Sequence, residues 1–438
     1  MRRSARALAL ALGLAALALP GVDAAARDPI GVFATADDLA RARRRLDAET
    51  RRPDRRAAFA KEVAAARARP ADPFVHDGPE TMRFGHAERR LQPPDDTIPE
   101  METKLRRDTD AMRTLALSAA LEGDPRDRAA ALRLMRRWAR EHTVVNVYDY
   151  DPDFVAARIA GMTEGFHSAR PWNFALAVMW QTYGLINASD AYLLLSRTGP
   201  GLNAADRAAL SDWIRRLAEG VNSSLHAWTR WADGSEARRR AAGETAPVAR
   251  RYRADNHVSW ALAGLLAAAA ALDDRALADY ALHGAEWRDR RAGRQANSTP
   301  LLRLLDLAIE AGPEPETAGR IYEERLPRDP PVGYALFHLQ ALALAARIAE
   351  IHFATDLWRF RGADGAGLLD SFGRYRAYLA GDRTSPDPDE RMGQPWLFAL
   401  SPPGFGGPER AALLAAKPLP AHLSHAIGPV DLLFGAAR

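Results

Sequence analysis

Leu121-Glu122-Gly123-Asp124-Pro125 is a stop and a start in five residues. Glycine closes one helix in a left-handed turn, and proline opens the next within its first turn. Such signals recur along the 438-residue chain, with helical periodicity between them and little strand-like alternation. Thr35 can cap a helix through Leu46, and Pro53 opens another to about Arg69. A loop rich in proline and charge follows, from Pro70 to about Pro99. Two helices flank Gly123-Asp124-Pro125, and further helices are expected at 173–195, 204–225, 257–272, 274–291, 300–311, 334–351 and 364–380. Arg230 to Arg253 reads as a basic polar insertion, and the tail from Pro402 is rich in proline and glycine. About a dozen helices in sequential hairpins make either a superhelical solenoid or a toroid of helix pairs. No repeat of about 34 or 40 residues is present, so the toroid is favoured, with function on the loops of one rim.

With 47% hydrophobic residues the chain is neither disordered nor, lacking cysteine altogether, a disulfide scaffold. Residues 1–26 carry Arg2, Arg3 and Arg6, an apolar run from Ala7 to Leu19, and then the small residues Ala24-Ala25-Ala26. This is the pattern of a secretory signal peptide, leaving residues 27–438 as one domain that is exported to a periplasm without stable membrane insertion. Its removal takes Asp23 with the three arginines and so halves the +4 surplus, which withdraws the support for a nucleic-acid partner. All bases but Lys61, Lys104 and Lys417 are arginine, and most are expected on solvated helix faces.

No H-E-x-x-H or other metal spacing occurs among the eleven histidines, and no metal is expected. G-x-S-x-G elbows, P-loops and dinucleotide fingerprints are also missing from the sequence. What remains is a set of polar residues at the edges of apolar helices. Asp255-Asn256-His257-Val258-Ser259-Trp260 precedes the apolar run to Leu272, with Asp255 or Asn256 as the natural N-cap. His257, in the first turn, faces the positive end of the helix dipole and suits a base or a hydrogen-bond partner. In a second cluster, Arg325 and Arg328 lead through Pro330 and Pro331 to Tyr334 and His338. Those last two share an apolar helix stripe and read either as core residues with satisfied polar tips or as cleft residues facing the arginine. A third polar turn, Phe166 to Asn173, offers Trp172 to stack on a sugar ring and Asn173 to cap the next helix, against the plainer reading of packing.

The first cluster resembles the Asn-Asn-His-Ser-Tyr-Trp block of the helical-toroid alginate lyases. Arg328 through Tyr334, continued by Ala335-Leu336-Phe337-His338-Leu339-Gln340, resembles their second block, an arginine a few residues before a tyrosine that opens a helix. The order of blocks, the Gly123-Asp124-Pro125 hairpin and the late Asp356-Leu357-Trp358 agree as well, and the resemblance covers residues 75–380 or so. It implies an incomplete (α/α) toroid that acts on uronic-acid polysaccharides by β-elimination, as a monomer and without a cofactor. Asn256, His257, Arg328 and Tyr334 then match the family's catalytic positions. Arg325, His338, Trp172, Asn173 and Trp260 are expected around the substrate, with Arg325 competing with Arg328 for the arginine's role. The resemblance leaves open whether His257 or Tyr334 takes the proton.

Two other functions fit the same helices. One is a non-catalytic protein of this fold that binds or processes acidic exopolysaccharide. The other is a glycoside hydrolase, which needs two carboxylates across a cleft; Asp255, Glu323 and Glu324 are available, and nothing in the sequence pairs them.

Overall fold

A computed structural model describes residues 28–48, 53–76, 97–149, 178–244, 253–312, 318–325 and 331–379, together with 397, 400–402 and 433–434. Along the chain these form α1 (Ala36–Ala48), α2 (Pro53–Ala68), α3 (Thr97–Glu122), α4 (Pro125–Glu141), a 3-10 turn (Val147–Asp149), α5 (Gln181–Arg197) and α6 (Ala204–Ala241). Then come α7 (Asn256–Leu272), α8 (Arg275–His283), β1 (Glu286–Asp289), β2 (Gly293–Ala296), α9 (Leu301–Ala308), β3 (Ile309–Glu310) and β4 (Arg320–Ile321). A second 3-10 turn (Tyr322–Arg325) leads to α10 (Pro331–Phe353), α11 (Leu368–Arg374) and α12 (Arg376–Leu379).

Local chemistry sets the helix ends where the sequence marked them. Thr35 and Asp38 cap α1 reciprocally, each side chain bonding the other's backbone N–H. Asp124 caps α4 through the N–H of Arg126, directly ahead of Pro125.

Four helices form the inner layer. Leu105 of α3 lies against Gly184 of α5, and further along Arg113 donates to Asn187 at 2.8 Å, so contacts advance in the same direction on both helices. From α5 to α7, the Thr182 hydroxyl donates to the Trp260 carbonyl at 2.8 Å, and Thr182 also abuts Gly264. A Cβ at Gly264 would stand 2.1 Å from Thr182 Oγ1, so glycine here is what lets the two helices approach. From α7 to α10, the Trp260 and Phe337 rings are 5.2 Å apart, both within the first two turns of their helices. The inner helices thus run parallel and bring the N-terminal ends of α5, α7 and α10 to one rim. α4 and α6 run the other way outside them, and the result is an incomplete (α/α) toroid. Asp190 and α10 fasten the N-terminal segment near the opposite rim: Val32 N–H donates to Asp190 at 2.6 Å, and Arg347 reaches both Asp38 and the Phe33 carbonyl.

α10 is long and apolar enough to cross a membrane by composition, yet 72% of its most apolar stretch is buried inside the protein. Its closely spaced alanines and leucines serve as packing for the inner ring.

Several boundaries differ from the sequence expectation. α6 does not stop at Leu225 but continues to Ala241, through the first half of the expected polar insertion. Glu236 pairs with Arg240 one turn on, and with Arg253, while Gly234 alone is too weak a breaker to end the helix. The helix expected at 274–291 ends at His283, where Gly284 adopts φ 80° and turns the chain into the antiparallel pair β1–β2. Trp287 anchors that hairpin, buried beside Tyr280. The 300–311 segment is helical only over α9, because Ile309 pairs with Ile321 instead. The segment 364–380 divides into α11 and α12, and α10 begins at Pro331, three residues earlier than expected.

Candidate active site

α7 and α10 place the expected residues at the shared rim. Asn256 and His257 lie four and three residues before Trp260, and Tyr334 lies three before Phe337. Residues at these spacings share a helix face, one turn nearer the rim than the ring contact itself. Packed helix axes stand about 8–10 Å apart, which puts the first turns of α7 and α10 within reach of one sugar ring. His257 and Tyr334 are partly exposed, and Asn256 is the least accessible of the three at 1%.

The structure decides between the two cap candidates: Asp255 caps α7, its Oδ1 accepting the His257 N–H at 2.9 Å. The same oxygen contacts His257 Nδ1. A carboxylate there requires the ring proton on Nδ1, which leaves Nε2 as the acceptor and fixes the orientation of the imidazole. The sequence reading offered Asp255 as a cap and as a hydrolase carboxylate, not as a partner of His257; the Asp-x-His spacing at a helix start was the signal for that role. Arg253 is held by Asp233 at 2.6 Å and Glu236 at 2.8 Å of α6, so it steadies the approach to α7.

Two expected substrate contacts lie inside the protein. Trp260 is 2% exposed, set between Tyr183 (5.2 Å, edge-on) and Phe337 (5.2 Å), and has no open face for a sugar. His338 is wholly buried, four residues after Tyr334 on α10, so the core reading of that position holds. Both corrections have one cause: the apolar stripes of α7 and α10 face each other and bury the residues that lie along them. Arg328, Trp172 and Asn173 lie outside the described residues, as do residues 1–26; Arg325 closes the 3-10 turn before α10, and its side chain is likewise outside them.

Of the carboxylates offered for hydrolysis, Glu324 and Asp255 are otherwise engaged, and the side chain of Glu323 lies outside the described residues. Glu324 accepts two bonds from Arg374 (2.8 and 3.0 Å) and one from the Tyr375 hydroxyl (2.6 Å). Those bonds outweigh its burial and hold its pKa below the usual carboxylate value, the wrong direction for a general acid. Asp255 is committed to α7 and His257. Among the described residues, no three His, Asp or Glu side chains converge as a metal site.

A cavity of about 700 Å³ opens elsewhere, between the end of α4, the first half of α6 and the β1–β2 hairpin. His142, Arg216, Glu219 and Arg290 are among its walls; Asn256, His257 and Tyr334 are not. Its charges are paired: Arg290 binds Glu219 and Asp212, Arg216 binds Asp212, and Arg291 binds Asp149. Beside it, Tyr148 and His226 meet through Tyr148 Oη and His226 Nδ1 at 2.8 Å. No local pattern in the sequence joins these two residues, and only the fold brings them together.

The alginate lyase family model matches residues 41–385. Among solved structures, an alginate lyase from Bacteroides ovatus aligns with a TM-score of 0.58 at 14% identity, over 92% of this chain and 99% of its own. Alginate lyase A1-III from Sphingomonas species A1 aligns with a TM-score of 0.52 at 14% identity, over 88% of this chain and 94% of its own. At such identity these two likenesses speak for the fold. No curated protein matches the sequence.

Proposed function

The chain belongs to the alginate lyase family, and from that premise we propose that it is a polysaccharide lyase cleaving alginate or a related polyuronate by β-elimination. The observation that carries the reading is the pairing of two first turns: His257, oriented by Asp255, and Tyr334, on adjacent parallel helices at one rim. Elimination needs a base for the C5 proton, stabilisation of the charge that spreads into the uronate carboxylate, and a proton for the departing O4.

In this proposal His257 Nε2, the acceptor left by the Asp255 contact, takes the C5 proton. The C5–H electron pair forms the C4=C5 double bond as the C4–O4 bond breaks, and Tyr334 protonates O4. With the opposite epimer, whose C5 proton lies on the other face, Tyr334 serves both transfers. Asn256 and Arg328, with Arg325 as the competing arginine, bind the carboxylate. Products carry a 4,5-unsaturated uronate at the new non-reducing end.

The test is ultraviolet absorbance of the conjugated double bond during incubation with polymannuronate, polyguluronate, glucuronan and hyaluronan. Absorbance rising on one of them supports the lyase. Salt-sensitive binding without it supports a binding protein of the same fold, and cleavage without it supports a hydrolase. The leader at residues 1–26 further suggests a periplasmic enzyme; a secreted chain still beginning at Met1 would overturn that.

A further inference from the structure

The outer ring holds a polar chain that the elimination does not use. Tyr280 Oη of α8 is 2.5 Å from Asn222 Oδ1, Asn222 Nδ2 is 3.1 Å from Gln295 Oε1, and Gln295 Nε2 is 2.8 Å from Tyr148 Oη. Tyr148 Oη in turn lies 2.8 Å from His226 Nδ1. Five side chains from α8, α6, β2 and the 3-10 turn are thereby tied into one line.

Its polarity is set at the buried end. Tyr280 is 1% exposed, and Asn222 is the hydrogen-bond partner of its hydroxyl among the described residues. A buried hydroxyl must place its proton on an acceptor, so Tyr280 donates to Asn222 Oδ1. Asn222 is then turned so that its amide N–H donates to Gln295, and Gln295 donates to Tyr148 for the same reason. Among the described residues Tyr148 has one acceptor left for its own proton, His226 Nδ1. His226 is therefore a neutral imidazole with its proton on Nε2. That tautomer excludes two roles: Nε2 has no lone pair for a metal, and none for abstracting a proton.

What it provides is one braced N–H donor on a partly buried side chain. His226 shares a stripe of α6 with Asn222 and Asp233, and Asp233 holds Arg253, three residues before Asn256. The helical rise places His226 about 10 Å along α6 from Asp233. On its other side, Asn146 and Asp149, which flank the Val147-Tyr148 step, line the 700 Å³ cavity with its paired arginines and carboxylates. A fixed neutral donor between the rim and a polar, charge-balanced cavity suits an oxygen of a sugar ring.

We propose that His226 contacts a sugar of the bound polymer at a subsite remote from the reacting bond, with Tyr148 as the positioning residue that sets its tautomer. The identity of the ligand rests on the lyase reading above.

Calorimetric binding of a mannuronate trisaccharide and a mannuronate octasaccharide to Tyr334→Phe protein tests this independently of turnover. Adding His226→Ala is expected to weaken the octasaccharide about tenfold and the trisaccharide by less than about twofold. His226→Gln, which keeps a side-chain N–H, should recover most of the loss. Tyr148→Phe should weaken the octasaccharide about threefold, since the ring then loses only its fixed tautomer. Equal weakening of both lengths, no weakening of either, or no octasaccharide binding at all overturns the subsite. If wild-type protein shows no elimination but the length-dependent loss is found, the lyase reading fails and the subsite stands. Normal elimination with an unchanged octasaccharide affinity in His226→Ala removes the subsite alone.

Discussion

One carboxylate oxygen, Asp255 Oδ1, accepts the backbone N–H of His257 and also engages its ring at Nδ1. The start of α7 and the orientation of the proposed base therefore depend on the same atom. The two roles separate by substitution. Asp255→Asn keeps an N-cap and is expected to change stability by less than about 0.5 kcal/mol, whereas Asp255→Ala costs about 1 kcal/mol. An asparagine can present N–H instead of oxygen to Nδ1 and release the tautomer, so kcat should fall about tenfold to a hundredfold in both variants. Denaturant melts beside initial rates check this; an Asn variant with full kcat would leave Asp255 as a cap alone.

Trp260 joins three inner helices, with Tyr183 on one side and Phe337 on the other. Trp260→Ala is expected to cost about 3–5 kcal/mol of unfolding free energy through the cavity it leaves. Gly264→Ala, one turn on, forces a methyl onto Thr182 and should cost about 1–3 kcal/mol. Urea unfolding measures both. Small losses would mean that α5, α7 and α10 are not packed as described.

Acid sensitivity has identifiable sources. Burial, reinforced by Arg216 and His76, pushes His142 down to about 3, and burial beside Arg197 pushes His352 down to about 4. In the unfolded chain both titrate near about 6.5. Above that value neither state binds the proton and their contribution is complete. Below it the unfolded chain takes up protons that the native protein refuses, so stability falls as pH drops toward 4 and then 3. The slope approaches about 1.4 kcal/mol per pH unit for each histidine. Asp190, whose carboxyl burial raises, works in the opposite direction. Urea melts between pH 7.5 and 4.5 should show the fall, and His142→Gln should flatten it. An unchanged slope in that variant would remove His142 as a source.

Much of this was legible in the chain because it rests on local chemistry. Thr35, Pro125 and the Asp255-Asn256 pair mark helix starts through capping and proline geometry that need no tertiary context. Errors arose where tertiary contacts overrode local pattern. α6 runs through a polar stretch because Arg253, outside the helix, pairs with its Asp233 and Glu236. The hairpin after Gly284 forms because Trp287 has a buried place beside Tyr280. In the site, His257 and Tyr334 were marked by helix starts, whereas the burial of Trp260 and His338 follows from two apolar stripes meeting, which neither segment shows alone. The line from Tyr280 to His226 joins residues far apart in sequence and was invisible before the fold.

The central claim is that His257 and Tyr334, at the first turns of α7 and α10, carry out β-elimination on a uronic-acid polymer. Its most direct measurement is the initial rate of double-bond absorbance on polymannuronate and polyguluronate, for wild-type protein, Tyr334→Phe and His257→Ala. The account predicts turnover by the wild type on at least one polymer. Tyr334→Phe should lose it by about a hundredfold or more with the helices intact by circular dichroism, as should His257→Ala on the epimer whose proton His257 takes. Full activity in Tyr334→Phe, or cleavage that yields no double bond, would contradict it.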